Sequence, residues 1–397
     1  MKRLLPVTKK GTAALLIAVV LMFSSSGCQT GDSDVTDTGE SANISESMNT
    51  TEPVSNAQSS TAAFAIDDEP EPDNDWEFDA PENHGMDSEL LEQLHSAVDG
   101  TEIYSVVTAK DGYIIDEYYK EGYDENSVFT LQSCSKTFTG ALIGIAIDQG
   151  LISGVDAKLS EFLPQLAGSD DAYKQEITIG HLLTHTSGIE WYEWGGNSSS
   201  WRPFQESENW VDYILSQRIV TEPGTAFNYT TGGSHLLAAA LQETAGKTAY
   251  EFGLEHLFQP MGMDSVGWRD DPQGVTDGGN GIAMSARDAA KFGQLYLDGG
   301  RWRGRQMIPE AWVEESVQTQ YSRVGNSGSY GYQWWLRPFG AGNYDTYYAM
   351  GFGGQFVFVV PELDLVTVIT SRFRQDTYAP WPYFTDYVLA ACNKQQD

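Results

Sequence analysis

Apolar positions follow two rhythms along this chain. Residues 103–109 and 113–119 are strand-like runs around Asp111-Gly112, a dipeptide suited to a tight two-residue turn, and they predict a hairpin. Near the other end, residues 355–360 and 365–370 flank Pro361-Glu362-Leu363-Asp364 and predict a second hairpin. Between them the rhythm is helical. Residues 137–149 are apolar nearly all round and stop at Gly150, as a buried helix with a glycine C-cap would. Residues 234–245 and 286–298 predict two more helices, the second opened by Ser285-Ala286-Arg287-Asp288. Strands at both ends with helices between imply an α/β fold, in which an antiparallel sheet from both chain ends is flanked by helices and carries a mostly helical inserted domain. The expected sheet region covers residues 80–132 and 280–395, and the helical region residues 133–279.

The first residues follow neither rhythm. Lys2, Arg3, Lys9 and Lys10 precede an apolar run from Ala13 to Phe23. That run is shorter than the roughly 20 residues a membrane span needs. Residues 1–27 therefore read as an export signal. Ser25-Ser26-Gly27-Cys28 resembles a bacterial lipobox with Ser25 where Leu is usual, so Cys28 is the expected lipidation site. The other reading is an ordinary signal peptide with an incidental cysteine. An acylated Cys28 anchors the protein to a membrane without spanning it, and places it in the cell envelope. Residues 28–79 lack Lys and Arg beyond Cys28 and are dominated by Ser, Thr, Asp, Glu and Pro, the composition of a disordered acidic tether.

Charge narrows the partners. The chain of 397 residues has a formal net charge of −33, and removing the four cations of the export signal takes it to −37. Such a surface repels phosphates, so nucleic acid is not an expected partner. The three cysteines are Cys28, Cys134 and Cys392, and no disulfide is expected. A monomer is expected.

Candidate chemistry centres on Ser133 and Lys136. Residues three apart on a helix share a face, so the two side chains meet one turn apart. A serine hydroxyl needs a base within hydrogen-bond reach, and a lysine becomes that base when burial lowers its pKa. The apolar run that starts here offers the burial. Lys136 is the one lysine in the chain with a serine three positions earlier. Ser135 also precedes it, but adjacent helical residues point to different faces.

The chain from about Asp79 to Ala391 resembles the serine β-lactamase and D-alanyl-D-alanine peptidase superfamily, nearest to its class C-like esterase, amidase and peptidase branch. Leu131-Gln132-Ser133-Cys134-Ser135-Lys136-Thr137-Phe138 matches the first motif of that superfamily. Ile177-Thr178-Ile179-Gly180-His181-Leu182-Leu183-Thr184-His185-Thr186-Ser187-Gly188 matches a structural signature, and Pro223-Gly224-Thr225-Ala226-Phe227-Asn228-Tyr229 leads into the second motif. Pro260-Met261-Gly262-Met263 and Met284-Ser285-Ala286-Arg287-Asp288 match as well, and Gly351-Phe352-Gly353-Gly354-Gln355 falls at the third motif. The resemblance implies a β-lactamase/transpeptidase-like fold and an acyl-enzyme formed on Ser133. It implies that Lys136 and Tyr229 share the proton work, that the amides of Ser133 and Gln355 form the oxyanion hole, and that Gly353 and Gly354 let substrate approach. No metal or cofactor is implied; the partner is a small-molecule or peptide acyl substrate.

Two departures shape the expected specificity. Where the second motif usually ends in Asn, Thr231 stands; where the third usually begins with Lys or His, Phe352 stands. Loss of that cation shifts the expectation from β-lactams toward esters, amides or peptides, unless Arg372 or Arg374 substitutes. A second hypothesis is an inactive envelope sensor or binding protein that kept the fold. His181 and His185 share the spacing of helical zinc ligands, but Leu182 occupies the glutamate position and no third ligand is evident, so structural roles are expected. Lys247-Thr248 reads as a helix cap, and Trp334-Trp335 as sheet core. The aromatic stretch from Trp191 to Trp210 lines a pocket or packs on itself.

Overall fold

The computed structural model describes residues 75–166, 168–194 and 198–392. The expected export signal, Cys28 and most of the expected acidic tether lie outside the described residues. Among the described residues no helix is long and apolar enough to cross a membrane.

Eight strands form the main sheet, in the order Glu77–Phe78, Tyr113–Tyr119, Ile103–Lys110, Leu365–Ser371, Gln355–Val360, Tyr344–Gly351, Trp335–Phe339, Ser329–Tyr330. Both predicted hairpins are present, and they meet at the centre, where Val107 lies opposite Val368. Pairing is antiparallel except at one edge. There Glu77–Phe78 runs parallel to Tyr113–Tyr119, inside the span whose acidic composition suggested a tether. Trp76 explains the attachment: it is buried, and its indole donates to the Arg287 carbonyl at 3.1 Å.

Side-chain alternation along the strands divides the core into two layers. Val357, Val359, Val366 and Val368 face the larger layer, against the Ser135–Asp148 and Ala286–Leu297 helices. Phe356, Phe358, Leu365 and Ile369 face the other, against the Ser88–Val98 helix and helical turns at 381–391. Trp334 and Trp335 point into opposite layers, and both are buried.

The helix predicted over 234–245 begins a turn earlier, at Thr231. Gly232 and Gly233 argue against a helix by propensity. Gly232 serves packing instead: a Cβ there would come within 2.9 Å of Trp191 and of Ile214. Thr248 caps the Ala249–Gly253 helix reciprocally with Glu251, as the sequence suggested.

Candidate active site

The turn that carries Ser133 is built from two segments distant in sequence. Strand Val128–Thr130 pairs with Ile282–Ser285, and the Leu131 amide continues that ladder to the Ile282 carbonyl at 2.9 Å. Gln132 then takes a left-handed conformation with φ 52°, which is costly for a residue with a Cβ and turns the chain sharply into the helix that carries Lys136. Ser135, the neighbouring serine, is used up structurally. Its hydroxyl donates to the Gln132 carbonyl at 2.6 Å and accepts from the Ile282 amide at 3.1 Å.

Ser133 faces a cleft of about 820 Å³ that Gln132, Glu193, Trp194, Tyr229 and Phe352 also line. Lys136 is buried behind Ser133, 1% exposed, with Nζ 3.1 Å from the Ser133 Oγ. The ammonium also contacts the Gly279 carbonyl at 2.6 Å and the Thr231 hydroxyl at 3.0 Å. It makes no ion pair with a carboxylate among the described residues. Burial pulls its pKa down to about 8, against the opposing pull of the Glu193 and Asp277 charges.

Tyr229 stands on the other side of the serine, its ring 4.9 Å from the Lys136 Nζ. Burial pushes its phenol well above the usual tyrosine range, Glu193 adds to the rise, and the Ser133 hydroxyl partly offsets it. Its ring is held between Trp194 and Trp335, stacked at 5.4 and 5.6 Å. Trp194 does this while 68% exposed, so part of the aromatic loop forms the cleft wall and part, such as Phe204, is core.

His181 and His185 hold backbone. The His181 ring accepts the Thr178 amide at 3.2 Å and caps its own helix. His185 Nδ1 accepts the Thr230 amide at 3.3 Å, which leaves Nε2–H to donate to the Tyr330 hydroxyl at 3.1 Å. Burial keeps His185 neutral by lowering its pKa well below the ordinary value. The histidine signature thus positions the segment that presents Tyr229. No group of three or more potential metal ligands occurs among the described residues.

The strand-edge residues divide. Phe352 lies on the cleft, 55% exposed. The side chain of Gln355 turns inward, donating to the Ser371 carbonyl and accepting from the Ser371 amide at 3.2 Å. Gly354 has φ +89°, and a Cβ there would meet the Ser371 Oγ at 2.4 Å; that hydroxyl lies 2.7 Å from both the Gly353 and Gly354 carbonyls, which share its one proton. Ser371 carried no sequence signal beyond its place at a strand end. Arg372 and Arg374 are exposed and do not line the cleft, whose one described cation is Arg202, paired with Glu206 at 2.7 Å.

Glu193 is the other residue that the sequence did not reveal. Its carboxylate accepts from the Thr231 hydroxyl at 2.5 Å, the Thr231 amide at 3.0 Å and the Trp191 indole at 2.5 Å.

Residues 97–382 match the family described as Beta-lactamase. The chain belongs to that family. This is a β-lactamase-fold serine hydrolase family, and its members include hydrolases of amides and esters. The chain is 25% identical to a 6-aminohexanoate-dimer hydrolase of Paenarthrobacter ureafaciens, over 77% of this chain and 82% of that one. It is 25% identical to a lovastatin esterase of Penicillium rubens, over 41% of this chain and 44% of the esterase. Among solved structures, one described as a putative 6-aminohexanoate-dimer hydrolase from Bacillus anthracis superposes with a TM-score of 0.65 at 21% identity, covering 75% of this chain and 80% of that one. The expected fold class is therefore the observed one.

Proposed function

We propose that the protein is an exported serine hydrolase that forms an acyl-enzyme through Ser133 and acts on esters, amides or peptides in preference to β-lactams. One observation carries the reading: a fully buried lysine without a carboxylate partner, its pKa pulled down to about 8, within hydrogen-bond reach of a serine that opens onto a cleft. At that pKa a useful fraction of the amine is neutral near pH 7–8, as general-base catalysis requires.

In this mechanism the Ser133 Oγ bonds to the substrate carbonyl carbon as its proton passes to the Lys136 Nζ. Negative charge on the carbonyl oxygen is met by the Ser133 and Gln355 amides. Removing one such donor typically costs ~10²–10³ in rate. The carbon–oxygen or carbon–nitrogen bond then breaks, and the leaving group takes a proton relayed through Tyr229. With its pKa raised, the phenol acts as a donor and relay, and Lys136 is the base. Water repeats the sequence on the ester and frees Ser133.

Two features support the substrate class. Trp194 and Phe352 give the cleft apolar walls, and the one cation that lines it among the described residues is the solvent-exposed Arg202, with no buried cation on the strand side to fix a substrate carboxylate. Relatives named as a dimer hydrolase and an esterase agree with this. The same reading includes an envelope location with Cys28 as lipid anchor.

A fluorophosphonate probe followed by peptide mass spectrometry tests the proposal. Labelling at Ser133, absent in Ser133→Ala, is expected, together with faster turnover of p-nitrophenyl butyrate than of nitrocefin. Equal labelling of wild type and variant overturns the nucleophile assignment, and absence of labelling in wild type favours the inactive binding protein.

A further inference from the structure

We propose that Glu193 is a positioning residue which, through the Thr231 hydroxyl, aims the lone pair of Lys136 at Ser133. The inference rests on the hydrolase reading above and adds to it the device that orients the base.

The number of protons on these groups decides the direction of each contact. A carboxylate accepts only, so the 2.5 Å contact between Glu193 and Thr231 takes the single hydroxyl proton of Thr231. The Thr231 oxygen is then an obligate acceptor toward Lys136, at 3.0 Å. The Gly279 carbonyl is a second obligate acceptor, at 2.6 Å. A neutral amine has two protons, and these two partners use both. Its lone pair is left facing the third neighbour, the Ser133 Oγ at 3.1 Å. Once Ser133 has given up its proton, the new N–H lies along that same line and no group has to turn.

Glu193 is itself held for this task. The Trp191 indole and the Thr231 amide fix its second oxygen, so it is spent as an anchor and is not free to serve as a base. Where the resembling family ends its second motif with an amide side chain, this chain uses a hydroxyl whose direction is set by a carboxylate from another loop.

A glutamine at 193 reverses the relay. The Thr231 and Trp191 N–H groups would draw its carbonyl oxygen, leaving its NH₂ to donate to Thr231. The threonine proton would then turn to the Lys136 lone pair and compete with Ser133. Removing the Glu193 charge also lowers the lysine pKa further, since that charge raises it.

The test is the rate of Ser133 modification by a fluorophosphonate as a function of pH, in wild type, Glu193→Gln, Thr231→Val and Thr231→Ser. Wild-type labelling is expected to rise through pH of about 8. Glu193→Gln and Thr231→Val should label at least about tenfold more slowly, within the ~10²-fold that misplacing a reacting group can cost. In Glu193→Gln the midpoint should move to lower pH because the charge that raises the Lys136 pKa is gone, whereas Thr231→Val keeps that charge and should lose rate by the relay alone. Thr231→Ser keeps the hydroxyl and should stay within about threefold of wild type, small against that same cost. Wild-type rate and midpoint in Glu193→Gln overturn this inference while leaving the nucleophile standing. Absence of labelling in wild type overturns both.

Discussion

The two walls of the cleft are built on different principles. On the helical side Ser133, Lys136, Thr231 and Glu193 form a chain of contacts between 2.5 and 3.1 Å with a buried cation at its centre, and the Tyr229 ring lies 4.9 Å from that cation. On the strand side Gly353 and Gly354 present backbone, Gln355 turns its side chain away, and an exposed Phe352 stands at the mouth. The first wall removes water from one amine and saturates everything around it, which sets a proton affinity. The second is open and apolar, which selects what enters without touching the proton. Proton transfer and the selection of what enters are thus separable here, and side-chain substitutions on the two walls should change different kinetic constants.

The largest expected effect tests the helical wall. Ser133→Ala should lower kcat/KM for p-nitrophenyl butyrate by ~10⁴-fold or more, as loss of a nucleophile does. Next, Lys136→Ala and Tyr229→Phe should each lower kcat by at least ~10²-fold with little change in KM. A near-normal kcat in either variant removes that residue from the proton path. The pH profile sharpens the same point. Because the Lys136 pKa is lowered to about 8, protonation below that value removes its lone pair. Activity should therefore fall about tenfold per pH unit on the acid side and level off above it. A profile that is flat from pH 6 to 9 would assign the base elsewhere.

The strand wall should respond in specificity. Phe352→Lys supplies the missing cation and should raise the nitrocefin-to-ester activity ratio by about tenfold, equivalent to ~1.4 kcal/mol. An unchanged ratio would show that the apolar residue is not what disfavours anionic substrates. The last change in this series is one of stability rather than of a kinetic constant. Gly354→Ala places a methyl at φ +89° against Ser371 and should destabilise the fold by ~1–3 kcal/mol, read as a shift in the denaturant midpoint.

Much of the helical wall was legible because its signals are local. Ser133 and Lys136 are one helical turn apart, and the apolar run that buries the lysine is continuous with them. The central hairpins were equally plain from alternation and turn residues. What escaped depended on contacts distant in sequence. Glu193 is a single carboxylate in an aromatic loop, 38 positions from Thr231, and no periodicity marks it. The early start of the helix at Thr231 was hidden by two glycines, of which Gly232 makes room for Trp191 and Ile214. The edge strand Glu77–Phe78 was hidden in the opposite way, since acidic neighbours masked a single buried tryptophan. The inward turn of Gln355 needed Ser371 of the adjoining strand, which only the folded sheet supplies.

The acyl-enzyme on Ser133 is the claim on which the account stands. Rapid acid quench during turnover of p-nitrophenyl acetate, followed by peptide mass spectrometry, measures it directly. The account predicts an acetyl group on the peptide that carries Ser133, and loss of both adduct and turnover in Ser133→Ala. Undiminished turnover in that variant, or an acetyl group on another residue in its place, would contradict it.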